Sequence, residues 1–135
     1  MNLGRLLIAI ASIAALPPLS LAVRAAAACS VSVGGPVVLE SDAVDPDVFV
    51  WDSRERLVDY AAGHWGSTRE IFAHTMLAKP GTRAKVIACY PGVAHPKFSA
   101  VAEDAIGVRI VGGPFNHRYG WVLSSDLHPL GAAHP

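Results

Sequence analysis

Ile106-Gly107-Val108-Arg109-Ile110-Val111 alternates cleanly, with Ile106, Val108 and Ile110 on one face, and this period of two decides the fold. It is the pattern of a strand with one side in a core. The same reading extends outward along the chain. Arg83 to Tyr90 is rich in β-formers, and Val48-Phe49-Val50-Trp51 and Tyr119-Gly120-Trp121-Val122-Leu123 are compact strand candidates. Pro36 to Leu39 supplies one more short strand. Lys79-Pro80-Gly81-Thr82 is a turn, with Pro placed to fix φ and Gly to accept a positive φ, and Gly112-Gly113-Pro114 ends the alternating run. Pro91 to Lys97 holds two prolines and a glycine and reads as a loop. The expectation is an all-β core of four to six strands.

Between about Ser53 and Met76 the periodicity changes. Asp52-Ser53-Arg54-Glu55 has capping-box spacing in front of Arg56-Leu57-Val58-Asp59-Tyr60-Ala61-Ala62, and Gly63 stops the run. A second box, Ser67-Thr68-Arg69-Glu70, starts a short helix carrying Ile71, Phe72, Thr75 and Met76. Ser124-Ser125-Asp126-Leu127 reads as a tight helical turn.

Hydrophobic residues make up 52% of the 135-residue chain, and their position matters more than their number. They crowd the front. Met1-Asn2-Leu3-Gly4-Arg5 is followed by an apolar run from Leu6 to Leu16, then Pro17-Pro18, then a small-residue stretch ending at Ala28. That order is the secretory signal pattern, with an A-x-A site just before Cys29 or one or two residues earlier. An uncleaved anchor over Leu6 to Val23 is the alternative, opposed by the Pro pair and by the alanine run beyond Arg24. The organisation expected is a signal peptide over 1–28, an extended arm over 29–47, a domain over 48–128 and a tail over 129–135. No stable membrane span remains after cleavage, and the protein is expected to be periplasmic or extracellular.

Eleven basic residues balance eleven acidic ones, and two of the basic ones, Arg5 and Arg24, leave with the signal. The faint acidic excess that remains lacks the footprint of a nucleic-acid or membrane-surface binder. Cys29 and Cys89 survive cleavage into an oxidising compartment, where a disulfide between them is the first reading. A buried thiol at Cys89 and a lipidated Cys29 are the other two.

The segment from about Leu77 to Leu127 resembles bacterial SH3-like domains. The resemblance is carried by Pro80-Gly81-Thr82-Arg83-Ala84-Lys85-Val86-Ile87, by Ile106-Gly107-Val108-Arg109-Ile110, and above all by Gly120-Trp121-Val122-Leu123-Ser124-Ser125-Asp126-Leu127. It implies a small five-stranded barrel whose usual roles are binding cell-wall material or protein partners in exported bacterial proteins. The fold class expected is therefore mainly β, an SH3-like barrel with a helical insertion over about 53–76 before the C-terminal strands. Within it, Gly120 permits a close approach or bend, Trp121 fills the barrel, and Leu127 plugs one end.

Chemistry is harder to assemble. His64, His74, His95, His117, His128 and His134 show no metal-ligand spacing, and Asp126-Leu127-His128 is the nearest approach to one. No G-x-S-x-G or phosphate-cradling loop occurs, and Cys89 sits in a strand between Ala88 and Tyr90 rather than in an activating setting. Glu103-Asp104 and Asp45-Asp47 are read as solvated loop carboxylates. No metal and no cofactor is expected. Of the aromatic residues Trp51, Tyr60, Trp65, Tyr90, Tyr119 and Trp121, the candidate ligand contacts are Trp65, Tyr90, Tyr119 and Trp121. Two functions follow: a non-catalytic exported binding module for peptidoglycan or an exported protein or peptide, or a small exported hydrolase or inhibitor that uses the helical half.

Overall fold

The structure, a computed structural model, describes residues 27–130. The secretory segment expected over 1–28 therefore lies almost wholly outside the described residues. Seven strands form one antiparallel sheet that curls into a half-barrel: β1 (Pro36–Leu39), β2 (Val48–Trp51), β3 (Thr75–Ala78), β4 (Thr82–Ala94), β5 (Glu103–Val111), β6 (Tyr119–Leu123) and β7 (Leu127–Pro129). Their order across the sheet is β3-β2-β6-β5-β4-β1-β7. Two helices, α1 (Arg54–Ala61) and α2 (Thr68–Ala73), join β2 to β3, and a single 3-10 turn, Ser124–Asp126, joins β6 to β7.

Alternation assigns each strand an inner and an outer face. Leu39, Val50, Val86, Ile106, Ile110 and Val122 meet inside the curl, each 1% exposed or less, and Leu127 joins them as expected. The outer face carries a second apolar cluster. Trp51, Leu57, Ile71 and Ala105 are buried there, with Phe49, Tyr60, Trp121 and Leu123 packed around them. Helix α1 covers it, touching β2, β4, β5 and β6. The architecture is thus two thin layers of core, one within the sheet and one between sheet and helix.

Four expectations need correction. Among the described residues the strand count is seven, because β3 and β7 were not foreseen. Thr75 and Met76, read as the end of a helix, belong to β3; α2 stops at Ala73, and pairing of Val50 with Met76 and Trp51 with Thr75 decides the matter. Pro91 to Ala94, read as loop, continues β4. There the register with β5 slips between Tyr90 and Ala94, so the irregularity absorbs a proline that a regular ladder would reject. Glu103 and Asp104 open β5 instead of lying in a loop.

One of the two helix caps differs by one residue from the spacing argument. Ser67 caps α2, its Oγ accepting from Glu70 N at 3.3 Å. On α1 the cap is Ser53, not Asp52, with Arg56 N donating to Ser53 Oγ at 3.2 Å. Asp52 is thereby released. It accepts from Arg56 Nη1 at 3.0 Å and pairs with His74 Nδ1 at 2.8 Å, while its own N–H donates to His74 O at 2.9 Å. Burial opposes ionisation of Asp52, but the bonds from His74 and Arg56 outweigh it and hold the carboxyl below its ordinary range.

Candidate functional site: an aromatic cleft beside helix α1

Gly63 ends α1 at φ +81°, a conformation that favours glycine, and turns the chain toward Trp65. The segment after β4 then docks on that helix end. Lys97 N donates to Ala61 O at 2.9 Å, capping a C-terminal carbonyl. The Lys97 stem lies over Gly63 so closely that a side chain at 63 would meet Lys97 Cδ at 2.7 Å. The next residue, Phe98, is left 95% exposed. Between these two segments opens a cleft of about 720 Å³, lined chiefly by Tyr60, Gly63, Trp65, Lys97, Phe98 and Leu123.

The walls are aromatic and the floor is apolar. Trp65, 52% exposed, stacks on Tyr60 at 5.9 Å between centroids, and Tyr60 leans on the buried Trp51 at 4.9 Å. The exposed ring is therefore held by a chain of rings that reaches the sheet. In the same lining, the ammonium of Lys97 lies 5.6 Å from the Phe98 ring. Burial, with help from the charge of Asp126, pushes the Tyr60 hydroxyl up, so it stays protonated and able to donate.

Of the four aromatic residues expected to contact a ligand, Trp65 alone lines this cleft. Tyr90 and Trp121 are brought together elsewhere, 5.7 Å apart, with the Arg54 guanidinium 4.0 Å above the Tyr90 ring. They anchor the start of α1. Trp121 does not fill the barrel: as an alternate residue of β6 it projects to the outer face, beneath α1, while Gly120 and Val122 face inward. Gly120 does serve a close approach, since a side chain there would strike Val50 Cγ1 and come within 2.9 Å of Trp51 O. Tyr119 is 60% exposed and lines a small polar cleft with Asp52, His74 and Arg118. Phe98 was missed. Its signal was a large aromatic residue in an aperiodic Pro-Lys-Phe-Ser stretch, with no strand or helix face to belong to.

Cys29 and Cys89 form a disulfide, with Cα atoms 6.3 Å apart. The bridge ties the arm to β4, and Asp104 reinforces it by accepting from Ser30 N and Ser30 Oγ at 2.8 Å each and from Gly92 N at 2.9 Å. Ligand-type atoms of Cys29, Cys89 and Asp104 lie within 4.8 Å of one another. With both sulfurs in the bridge and both Asp104 oxygens engaged, the trio is a clasp and not a thiolate metal centre. His128, offered with Asp126 as a metal possibility, pairs with Asp42 at 3.4 Å. Among the described residues no helix is long and apolar enough to cross a membrane.

Comparison with protein-family models, with curated proteins and with solved structures finds no match to this chain. The class defined by the fold is a disulfide-tied, curled antiparallel β domain with a helical cover.

Proposed function

We propose that this is an exported, non-catalytic binding module of SH3-like type that recognises peptidoglycan or an exported protein partner through the Trp65–Phe98 cleft. Five of its strands support the SH3-like reading. β7, β1, β4, β5 and β6 are contiguous in the sheet, and the 3-10 turn leads into the last of them along the chain. The segment from β2 to β3 is then an insertion between the first and second of those five. Export rests on the pattern from Met1 to Ala28, and the disulfide fits an oxidising compartment.

The observation that carries the functional reading is the pair of exposed rings, Trp65 and Phe98, that line one apolar cleft. Large exposed aromatics flanking a concavity provide stacking area for a sugar ring or a peptide side chain. The hydrolase reading draws on the Asp52–His74 pair in the inserted half. Its weakness is the missing nucleophile: the neighbouring Thr75 hydroxyl donates to Ile71 O at 2.9 Å instead of to the imidazole.

Sedimentation with purified peptidoglycan and capture of exported proteins, using wild type, Trp65→Ala and Phe98→Ala, test the proposal. Either variant should lose capture at least tenfold while melting within a degree or two of wild type. Capture undiminished in both variants, or none by the wild-type protein, would overturn it.

A further inference from the structure

The balanced net charge conceals a segregation. No aspartate or glutamate lies between Glu70 and Glu103, or between Asp104 and Asp126, yet these intervals contain Arg83, Lys85, Arg109 and Arg118. The sheet gathers these four. Arg83 and Lys85 are exposed residues of β4, Lys85 lies directly across from Arg109 of β5, and Arg109 lies across from Tyr119 of β6, which Arg118 precedes. All belong to the outer face or its adjoining hairpin, and none of them lines the aromatic cleft.

None of the four enters an ion pair among the described residues, whereas Arg54, Arg56 and Lys79 each hold a carboxylate. Asp52 shares the small cleft of Arg118 and Tyr119, but its oxygens are taken by Arg56 and His74. Arg109 is the most telling. Its Nη2 donates to His117 Nδ1 at 2.6 Å, which fixes the guanidinium, and its Nε is buried without a partner, so Nη1 is the donor it can offer to a ligand. His117 holds that bond from φ 67°, a left-handed conformation uncommon outside glycine. Arg83 also lines a hollow of about 370 Å³ formed with Val111, Gly112 and Gly113, so the basic face runs into a concavity.

We propose that this face is a binding site for a ligand carrying clustered phosphate groups, with Arg109 as the central donor and Arg83, Lys85 and Arg118 around it. Like charges directly opposite on paired strands repel, and a polyanion laid across them reverses the sign of that interaction. Phosphate suits the arrangement better than carboxylate. Its tetrahedral oxygens accept at once from a guanidinium, an ammonium and the Tyr119 hydroxyl arriving from different directions, whereas two carboxylate oxygens share one plane.

Calorimetric titration of the purified, oxidised protein with tripolyphosphate tests this, with citrate, a polycarboxylate, as the comparison. Tripolyphosphate should bind at least tenfold more tightly than citrate. Its affinity should fall steadily as salt rises, because screening weakens the attraction between the exposed cations and the polyanion. Arg109→Gln should weaken it at least fivefold. Because Arg109 is partly buried, the exposed pair Arg83→Gln/Lys85→Gln provides the cleaner variant: at least tenfold weaker, with an unchanged melting midpoint. Arg69→Gln on α2 and Trp65→Ala in the aromatic cleft should leave the affinity intact, which separates this site from the one proposed above. Absence of saturable binding, equal affinity for citrate, or wild-type affinity in the double variant would overturn the proposal.

Discussion

Gly107 lies directly beneath the indole of Trp121: a side chain at 107 would stand 3.3 Å from both Cζ3 and Cη2 of that ring and 3.2 Å from Ala88 Cβ. The three residues share a row on the outer face, Ala88 to Gly107 to Trp121, which Trp51 of β2 completes. The row is a seat for α1 and has no slack. Gly107→Ala should lower stability by about 1 kcal/mol and Gly107→Val by about 3 kcal/mol, the range for overfilling a packed interface. Chemical denaturation of the two variants checks this, and a valine variant as stable as wild type would refute the packing described.

The two tryptophans of that row should differ in cost. Trp51 is 4% exposed, and Trp51→Ala should lose about 3–5 kcal/mol. Trp121 is only partly buried, so Trp121→Ala should lose less, about 2 kcal/mol. Tyr119, on the same strand but in solvent, should tolerate alanine within about 0.5 kcal/mol. Thermal melts of the three variants should rank in that order.

Reduction of the Cys29–Cys89 bridge should cost about 2–4 kcal/mol, because the bridge spans 60 residues of chain and restricts the unfolded state. Denatured but unreduced protein should present no reactive thiol. Labelling with a maleimide before and after reductant, followed by mass measurement, reads both statements.

Two aspartates should give stability opposite dependences on acid. Asp104 is partly buried, which alone would raise its carboxyl, yet the bonds from Ser30 and Gly92 win and hold it below the ordinary 3.8. With its folded pKa depressed, it stabilises the fold above that value, and the contribution disappears as pH falls through the folded pKa. Asp126 is pushed up, first by burial and then by Glu103 and Asp42, against the bond from Ser41. With its folded pKa raised, stability falls as pH rises from 3.8 toward and through the folded value. Asp126→Asn should therefore raise the denaturation midpoint at pH 7 and lose that advantage at pH 3, whereas Asp104→Asn should lower the midpoint at pH 7 and matter progressively less as pH falls below 3.8.

The strands with strict alternation, Ile106 to Val111 above all, were legible because each carries its own inner and outer faces. β3 was not. Thr75-Met76-Leu77-Ala78 follows a capped helix and has no period of its own; its state is decided by pairing with β2, which a local window does not contain. Trp121 was placed correctly on a strand but assigned to the wrong face. The β6 alternation fits either side of a sheet, and the existence of a helix on the outer side selects the answer. Trp65 was legible as a candidate, while the other exposed ring of the cleft, Phe98, depends on a hydrogen bond between residues 36 apart in the chain, Lys97 to Ala61. Net charge was the least informative quantity, since it hides how the sheet gathers Arg83, Lys85, Arg109 and Arg118.

The bridge between Cys29 and Cys89 also makes the chain a ring with two tails. Both helices, β1 to β3 and Trp65 lie inside the ring, while β5, β6, β7 and Phe98 lie on the tail beyond it. A protease that cut the exposed Gly63–Gly66 connection would open the ring without separating any piece. The nicked molecule would run at its original mass until reduced, and both walls of the cleft would remain on one covalent body.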